Sequence, residues 1–395
     1  MPDPDPNTNP NRNSNANGDA DSDRDTDPHA EPDAHRLRSF DVTLSSPLST
    51  AAGTIDRRRG FLLRVADGDR VGVGEAAPLP GWTESYDECE AALRRAIEAA
   101  NGGFPEPVDL PDPEATPAAR HAVESAVADA RARAAGESLA ARLARVGPFD
   151  ADVAPSPPPA DAVPVNATVG DDDLAGTVAA AESAVAAGFE TLKLKLGARP
   201  WPADRRRVEA VREACPGATL RVDANCAWDR ETAADALEGL AAADVTVVEQ
   251  PVAAADLDAL GSLAGHADGP LVAADEALAL TEHSPDRVAA AADLLVCKPM
   301  ALGGPMAALE AAATARAAGG DAVVTTTVDA AVARAAAVAV AAAIPDVRAC
   351  GLATASLLGA DVAPDPAPVR EGVAPVPTGP GAGVDLLNAV ADSGP

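Results

Sequence analysis

A chain of 395 residues with 61 acidic against 31 basic side chains, formal charge −30, has room for one large barrel or two ordinary domains, and it carries no basic run to hold a nucleic-acid backbone. Five widely spaced cysteines without a CxxC pair exclude a disulfide framework or a thiolate zinc site and fit a reducing cytosol. The acid excess, with only three lysines beside 28 arginines (31 − 3), suggests a salt-rich cytoplasm, where charges are screened within about 3 Å at 1 M salt.

Residues 1–38 are Asp, Asn and Pro with almost nothing apolar, and are expected to be a disordered acidic tail. Their polar start is not that of a secretory signal, so a cytoplasmic location is expected. From 39 to 145 an α+β unit is expected. "FDVTL", "GFLLRVA" and "RVGVGEAA" alternate like strands, and "ESYDECEAALRRAIEAA" and "PAARHAVESAVADARARAAGESLAARLA" have helical periodicity. The stretch 146–163, with "APSPPPADAVP" around it, is expected to be an exposed connection.

Between 164 and 355 one theme repeats. "VPVNATV", "TLKLKL", "TLRVDAN", "VTVVEQP", "PLVAADEA", "DLLVCKP" and "AVVTTTV" alternate with Ala-rich segments of helix length, and an eighth short strand is expected near "ACGLAT". Strand–helix alternation of this regularity predicts parallel strands closing into a β/α barrel of the (β/α)7β kind. The most apolar segment, 330–344, is broken by Arg334 and too short to span a bilayer, so no membrane insertion is expected. The Gly/Pro-rich end, 356–395, is expected to return over the N-terminal unit. The residues leave the oligomeric state open.

Barrel enzymes place their chemistry at the C-terminal ends of the strands. Asp223 ends "LRVDAN", Glu249 ends "VTVVEQP" and Asp275 ends "PLVAADEA", at intervals of 26 and 26 residues, one strand–helix unit each. Three hard oxygen donors on successive strands describe a Mg2+ site, with Mn2+ as a possible substitute. Residues i and i+2 of a strand share a face, so Lys193 and Lys195 point into the barrel while Leu192, Leu194 and Leu196 point out. Lys298 ends "DLLVCKP" one unit beyond Asp275 and faces the same cavity. Close positive charge is expected to lower a lysine's pKa and make it a usable base, a role that arginine fills poorly.

The order Lys-x-Lys, Asp, Glu, Asp, Lys on consecutive strands resembles the enolase superfamily, in its muconate-lactonizing subgroup, and within it the o-succinylbenzoate synthase family. The motifs "LRVDANCAW", "VVEQPV", "CKPMALGG" and "VPTGPGAGVDL" carry the resemblance, and "SSPLSTAAGTIDRRRGFLLRV" and "GVGEAAPLPGWTESY" are similar to that family's capping domain. The resemblance implies an α/β fold: a modified TIM-type barrel with an N-terminal cap completed by the C-terminal segment. It implies a small carboxylate substrate, removal of the proton α to its carboxylate, and a Mg2+-stabilised enediolate. The implied reaction is syn dehydration of 2-succinyl-6-hydroxy-2,4-cyclohexadiene-1-carboxylate to 2-succinylbenzoate in menaquinone biosynthesis, a hydro-lyase activity.

Carried over by position, Lys195 is the base and then the acid that helps hydroxide leave. Lys193 tunes it and contacts the substrate carboxylate, and Lys298 stabilises the oxyanion. Asp223, Glu249 and Asp275 are the metal ligands, with Asn225 and Arg221 supporting the polar cavity. Thr326, Thr327 and the segments 49–54 and 80–83 are substrate-contact candidates, while Glu75 and Arg59 are read as structural. Two departures, Ala277 where relatives often carry Ser and Ala333 where Gly is common, bear on the substrate. The same lysine geometry serves N-succinylamino acid racemases and dipeptide epimerases, although "GLATASLL" lacks the acidic motif usual in the latter. A barrel that binds a metal or ligand without turnover is the alternative of another class.

Overall fold

Alternating apolar and polar residues fold 36–76 into an antiparallel sheet of three neighbouring strands, β1 (Arg36–Thr50), β2 (Gly53–Asp67) and β3 (Arg70–Ala76). The structure is a computed structural model that describes residues 35–50, 53–106, 110–149, 158–279 and 283–391. The expected tail lies outside these residues up to 34, and of the 49–54 segment 51–52 do. The tail's expected end is corrected: β1 already pairs at Arg36↔Arg64 and Leu37↔Leu63, because Leu37 packs against the apolar core under the sheet.

Two helices follow. α1 (Tyr86–Ala99) opens on a capping box in which Ser85 accepts from the Glu88 N–H and Glu88 accepts from the Ser85 N–H. α2 (Pro117–Ala135) starts on a proline and stops at Gly136, whose φ of 67° ends the helix in the left-handed region. The alanines of α2 let it lie directly on β3. A Cβ on Gly74 would sit 1.9 Å from the Ala122 carbonyl oxygen, so this contact requires glycine. α3 (Leu139–Val146), capped by Ser138, completes the unit.

The expected Pro-rich connection has 150–157 outside the described residues. After it, β4 (Ala162–Pro164) leads into seven parallel strands. These are β5 (Ala167–Val169), β6 (Thr191–Lys195), β7 (Thr219–Asp223), β8 (Val245–Glu249), β9 (Leu271–Ala274), β10 (Leu294–Cys297) and β11 (Asp321–Val324), each beside its predecessor. The connecting helices are α4 (Leu174–Ala186), α5 (Trp201–Ala214), α6 (Arg230–Ala242) and α7 (Leu257–Leu263). Further along come the short α8 (Glu276–Ala279), α9 (Pro285–Ala289) and α10 (Pro299–Leu302), then α11 (Pro305–Ala317) and α12 (Ala331–Ala343). Among the described residues the connection from β9 to β10 carries only the short α8 and α9, the latter starting on Pro285.

The eighth strand is reduced to single bridges. Val165 pairs with Cys350 and Thr325 with Gly351, so 350–351 joins the two edges of the seven-stranded sheet. Every residue of α12 is buried, Arg334 included, whose guanidinium meets Asp361 at 2.7 Å and Asp365 at 3.2 Å. Among the described residues no helix is long and apolar enough to cross a membrane. Beyond the barrel, β12 (Val373–Pro375) pairs antiparallel with β4, and α13 (Asn388–Ala391) ends the described chain. The C-terminal segment touches the N-terminal unit through Gly381, whose carbonyl accepts from the Leu139 N–H at 2.8 Å, and Ala382, whose N–H donates to Asp129 at 2.7 Å.

Candidate active site

In β6 the leucines are fully buried outward, which leaves Lys193 and Lys195 on the inner face. In-register pairing sets Lys195 beside Asp223 and Asp223 beside Glu249 at the ends of β6, β7 and β8. Asp275 and Lys298 each follow the last residue of their strands, β9 and β10. The six charged groups meet. Lys193 Nζ lies 2.5 Å from Glu249 Oε1 and 2.9 Å from Asp223 Oδ2, and Lys195 Nζ donates to Asp223 Oδ2 at 2.7 Å and to Asn225 Oδ1 at 2.9 Å. Lys298 Nζ is 2.6 Å from both Asp275 oxygens, donating to Oδ2 and leaving the buried Oδ1 without a well-formed hydrogen bond.

Burial and the neighbouring Asp223 carboxylate push the Glu249 carboxyl up to about 8, with Asp275 adding to the repulsion. Burial also acts against ionised Asp223, but Lys193 and Lys195 outweigh it and hold that carboxyl well below the usual range. The expected lowering of a lysine pKa is corrected for Lys193. Burial lowers it, yet Asp223, Glu249 and Asp275 together raise it above the ordinary lysine value, because carboxylates rather than cations are its nearest neighbours. Lys195 has the most exposed side chain of the three, 35% against 15% for Lys193 and 11% for Lys298. Among the described residues, no three His, Cys, Asp or Glu side chains converge closely enough to hold a metal ion as they stand, since the ammonium of Lys193 lies between two of the carboxylates.

The other sequence candidates divide. Asn225 belongs to the cluster, its side-chain NH2 donating to Glu276 Oε1 at 3.0 Å while its oxygen receives Lys195. Arg221, two residues before Asp223 on β7, donates from its guanidinium to the Ala349 carbonyl at 2.7 Å, and among the described residues its Nε has no hydrogen-bond partner. Thr326 and Thr327 are buried, Thr326 Oγ1 lying 3.0 Å from Thr354 Oγ1 and Thr327 donating to Asp329 at 2.5 Å, which leaves each hydroxyl with acceptor capacity. Ala277 and Ala333 are buried and bonded through their N–H groups, to Gln250 and Glu75 respectively. Arg59 is exposed, over the Tyr86 ring at 4.1 Å. Glu75 is fully buried and accepts from the Ala330 and Ala333 N–H groups at 2.7 and 2.9 Å, capping α12 from the other unit.

Two residues here, Gln250 and Glu276, went unnoticed in the sequence, and a third, Trp82, was included only as part of the 80–83 candidate segment. Gln250, fully buried with φ at 39°, accepts from the N–H groups of Asp275 and Ala277 and so fixes the end of β9. Glu276 holds Asn225, and burial beside Asp275 and Asp223 raises its carboxyl. The Trp82 ring lies 3.4 Å from Lys298 Nζ. Gln250 and Glu276 each adjoin a recognised carboxylate in sequence, which was the available signal. Trp82 comes from the other unit, and only the "PLPGWT" segment pointed toward it.

The Enolase C-terminal domain-like family matches residues 176–390. An o-succinylbenzoate synthase from Thermobifida fusca is 41% identical over 225 residues, 55% of this chain and 68% of the relative. A chloromuconate cycloisomerase from Cupriavidus necator is 29% identical over 365 residues, 88% and 94% of the two chains. Among solved structures, the L-Ala-D/L-Glu epimerase from Bacillus subtilis superposes with a TM-score of 0.75 at 26% identity, covering 88% of this chain and 97% of that one. The family match, on more than half of the chain, joins the lysine–carboxylate cluster in one conclusion: this chain belongs to the enolase superfamily.

Proposed function

We propose that the chain is an o-succinylbenzoate synthase of the muconate-lactonizing subgroup, a cytoplasmic hydro-lyase of menaquinone biosynthesis from a salt-adapted archaeon. The observation that carries the chemistry is the meeting of all three lysines of the chain with three carboxylates at the ends of five neighbouring strands. The 41% identity to a synthase favours this reaction over others of the superfamily.

The donor set fits Mg2+. It is oxygen only, and the raised Glu249 carboxyl marks crowded negative charge that a cation relieves. Asp223, Glu249 and Asp275 would hold the ion once the lysine ammonium groups withdraw, and Mn2+ suits the same donors. The ion would supply a divalent charge that acidifies the C–H next to the substrate carboxylate. Lys195, the most exposed lysine, takes that proton and returns it to the hydroxide leaving from the same face, giving water and the aromatic product. Lys193 sits one strand position deeper and contacts the substrate carboxylate. Lys298 presents its charge to the developing oxyanion. Asn225, held by Glu276, aims Lys195.

A second reading, N-succinylamino acid racemase or dipeptide epimerase, is favoured by one observation: Lys195 and Lys298 reach the cavity from strands four places apart, β6 and β10. The test is a coupled dehydration assay with Mg2+ at high KCl, beside racemase, epimerase and cycloisomerase assays. The synthase reading expects dehydration to dominate. Deuterium exchange into both enantiomers of an N-succinylamino acid without dehydration overturns it. Lys195→Ala should abolish turnover while calorimetry still detects Mg2+ binding, and surviving activity would remove Lys195 as the base.

A further inference from the structure

The two catalytic candidates on β6 and β10 are held differently. Lys195 is open on one side, whereas Lys298 is enclosed: Asp275 takes its ammonium at 2.6 Å and the Trp82 ring covers it at 3.4 Å. A cation that close to an indole face is attracted by the ring quadrupole, more strongly where water is excluded. Trp82 lies outside the barrel sequence, in the turn between β3 and α1.

That turn is fixed at many points. Gly81 adopts φ of 94°, the Trp82 and Thr83 N–H groups donate to the Leu79 carbonyl at 2.9 Å, and Thr83 Oγ1 accepts from the Leu79 N–H at 2.7 Å. Buried Arg58 donates to the Ala77 and Pro78 carbonyls, and Glu84 accepts from the first N–H groups of α2. The turn is also joined to the lysine's own loop, since the Ala77 N–H points at Sδ of the buried Met300, two residues after Lys298. An indole carried on so constrained a backbone sets where the ammonium can rest.

We infer that Trp82 is a positioning residue for Lys298: its ring face confines the ammonium against one side of the cavity, so that substrate meets Lys298 from a single direction. The inference rests on the proposed catalytic role of Lys298, but its physical core, the ring-on-ammonium contact, can be measured without any substrate. With three lysines in the chain, lysine-selective 13Cε labelling yields three side-chain signals, and Lys298→Arg identifies one of them. In the full chain with Mg2+, the Lys298 ε-methylene protons should be shifted strongly upfield by the indole ring current. Trp82→Leu, of similar bulk without a ring, should abolish the shift, and Trp82→Phe should keep much of it.

In turnover, Trp82→Leu should lower kcat about tenfold with KM changed by less than about threefold, and Trp82→Phe should recover most of the loss. An unshifted Lys298 signal in the parent chain overturns the inference. So does a Leu variant that loses the shift yet keeps full kcat, or one equal to Phe in kcat, which would make Trp82 packing alone. If the parent chain dehydrates nothing but shows activity with another superfamily substrate, the synthase reading fails and the same kcat comparison on that substrate decides the role of Trp82.

Discussion

Replacing Glu75 with alanine should detach the loop after β11 from the N-terminal sheet. The carboxyl is fully buried on β3 and accepts two N–H groups at the start of α12, at 2.7 and 2.9 Å. Alanine removes both bonds and leaves two buried donors that no solvent reaches. At about 1.5 kcal/mol for each lost bond, with a further share for the stranded N–H groups, the cost is roughly 3–5 kcal/mol. For a chain of this size that corresponds to a fall in Tm of about 4–6 °C. Differential scanning fluorimetry with the parent chain in the same buffer measures it, and hydrogen exchange should show 328–335 losing protection before the rest of α12. A Tm within about 2 °C of the parent, with unchanged exchange at 330–333, would refute the reasoning that this glutamate is a helix cap.

The pH dependence of the same residue has a definite sign. Burial, with Asp329 nearby, pushes the folded-state Glu75 carboxyl up to about 8 against 4.5 for a free group, so below 4.5 both states hold the proton and the stabilisation is whole. Between 4.5 and 8 only the unfolded chain releases it, and stability falls as pH rises. Glu75→Gln should flatten that part of the Tm–pH curve, and an unaltered slope would assign the loss elsewhere. Mg2+ should raise Tm, by about 2.7 kcal/mol of stabilisation at a hundredfold excess over Kd, and Asp223→Asn should remove the increment in a thermal-shift titration. Because the formal charge is −30, lowering KCl from molar to about 0.1 M should lower Tm steeply, and sucrose at the same osmolality should not substitute for the salt.

The parts of the site that were legible in the sequence are those written into strand periodicity. Two lysines two residues apart share a face, and carboxylates 26 residues apart end neighbouring strands, so the sequence alone brings Lys193, Lys195, Asp223, Glu249, Asp275 and Lys298 together. What was not legible depends on packing between segments far apart in the chain. The hydrogen bond that Thr327 donates to an aspartate two residues later was not legible either. Lys193 was expected to lose affinity for its proton beside a second lysine and a metal ion, whereas the folded chain surrounds it with acids. Trp82 is separated from Lys298 by 216 residues (298 − 82), and no periodicity connects them.

The single bridges at 350–351 mean that the ring has a seam. Elsewhere adjacent strands are laced over two to five paired positions, while here the wall is drawn shut by two. Arg221 ties β7 to the residue just before that seam, its guanidinium anchored on the Ala349 carbonyl. A barrel built this way should breathe by parting along one line, and the line lies next to β5 and β11, away from the strands that carry the lysines and carboxylates. Thermal opening could begin at the seam while the β6–β10 arc stays assembled. The same line is the natural place to cut and rejoin the chain if a permuted version were wanted.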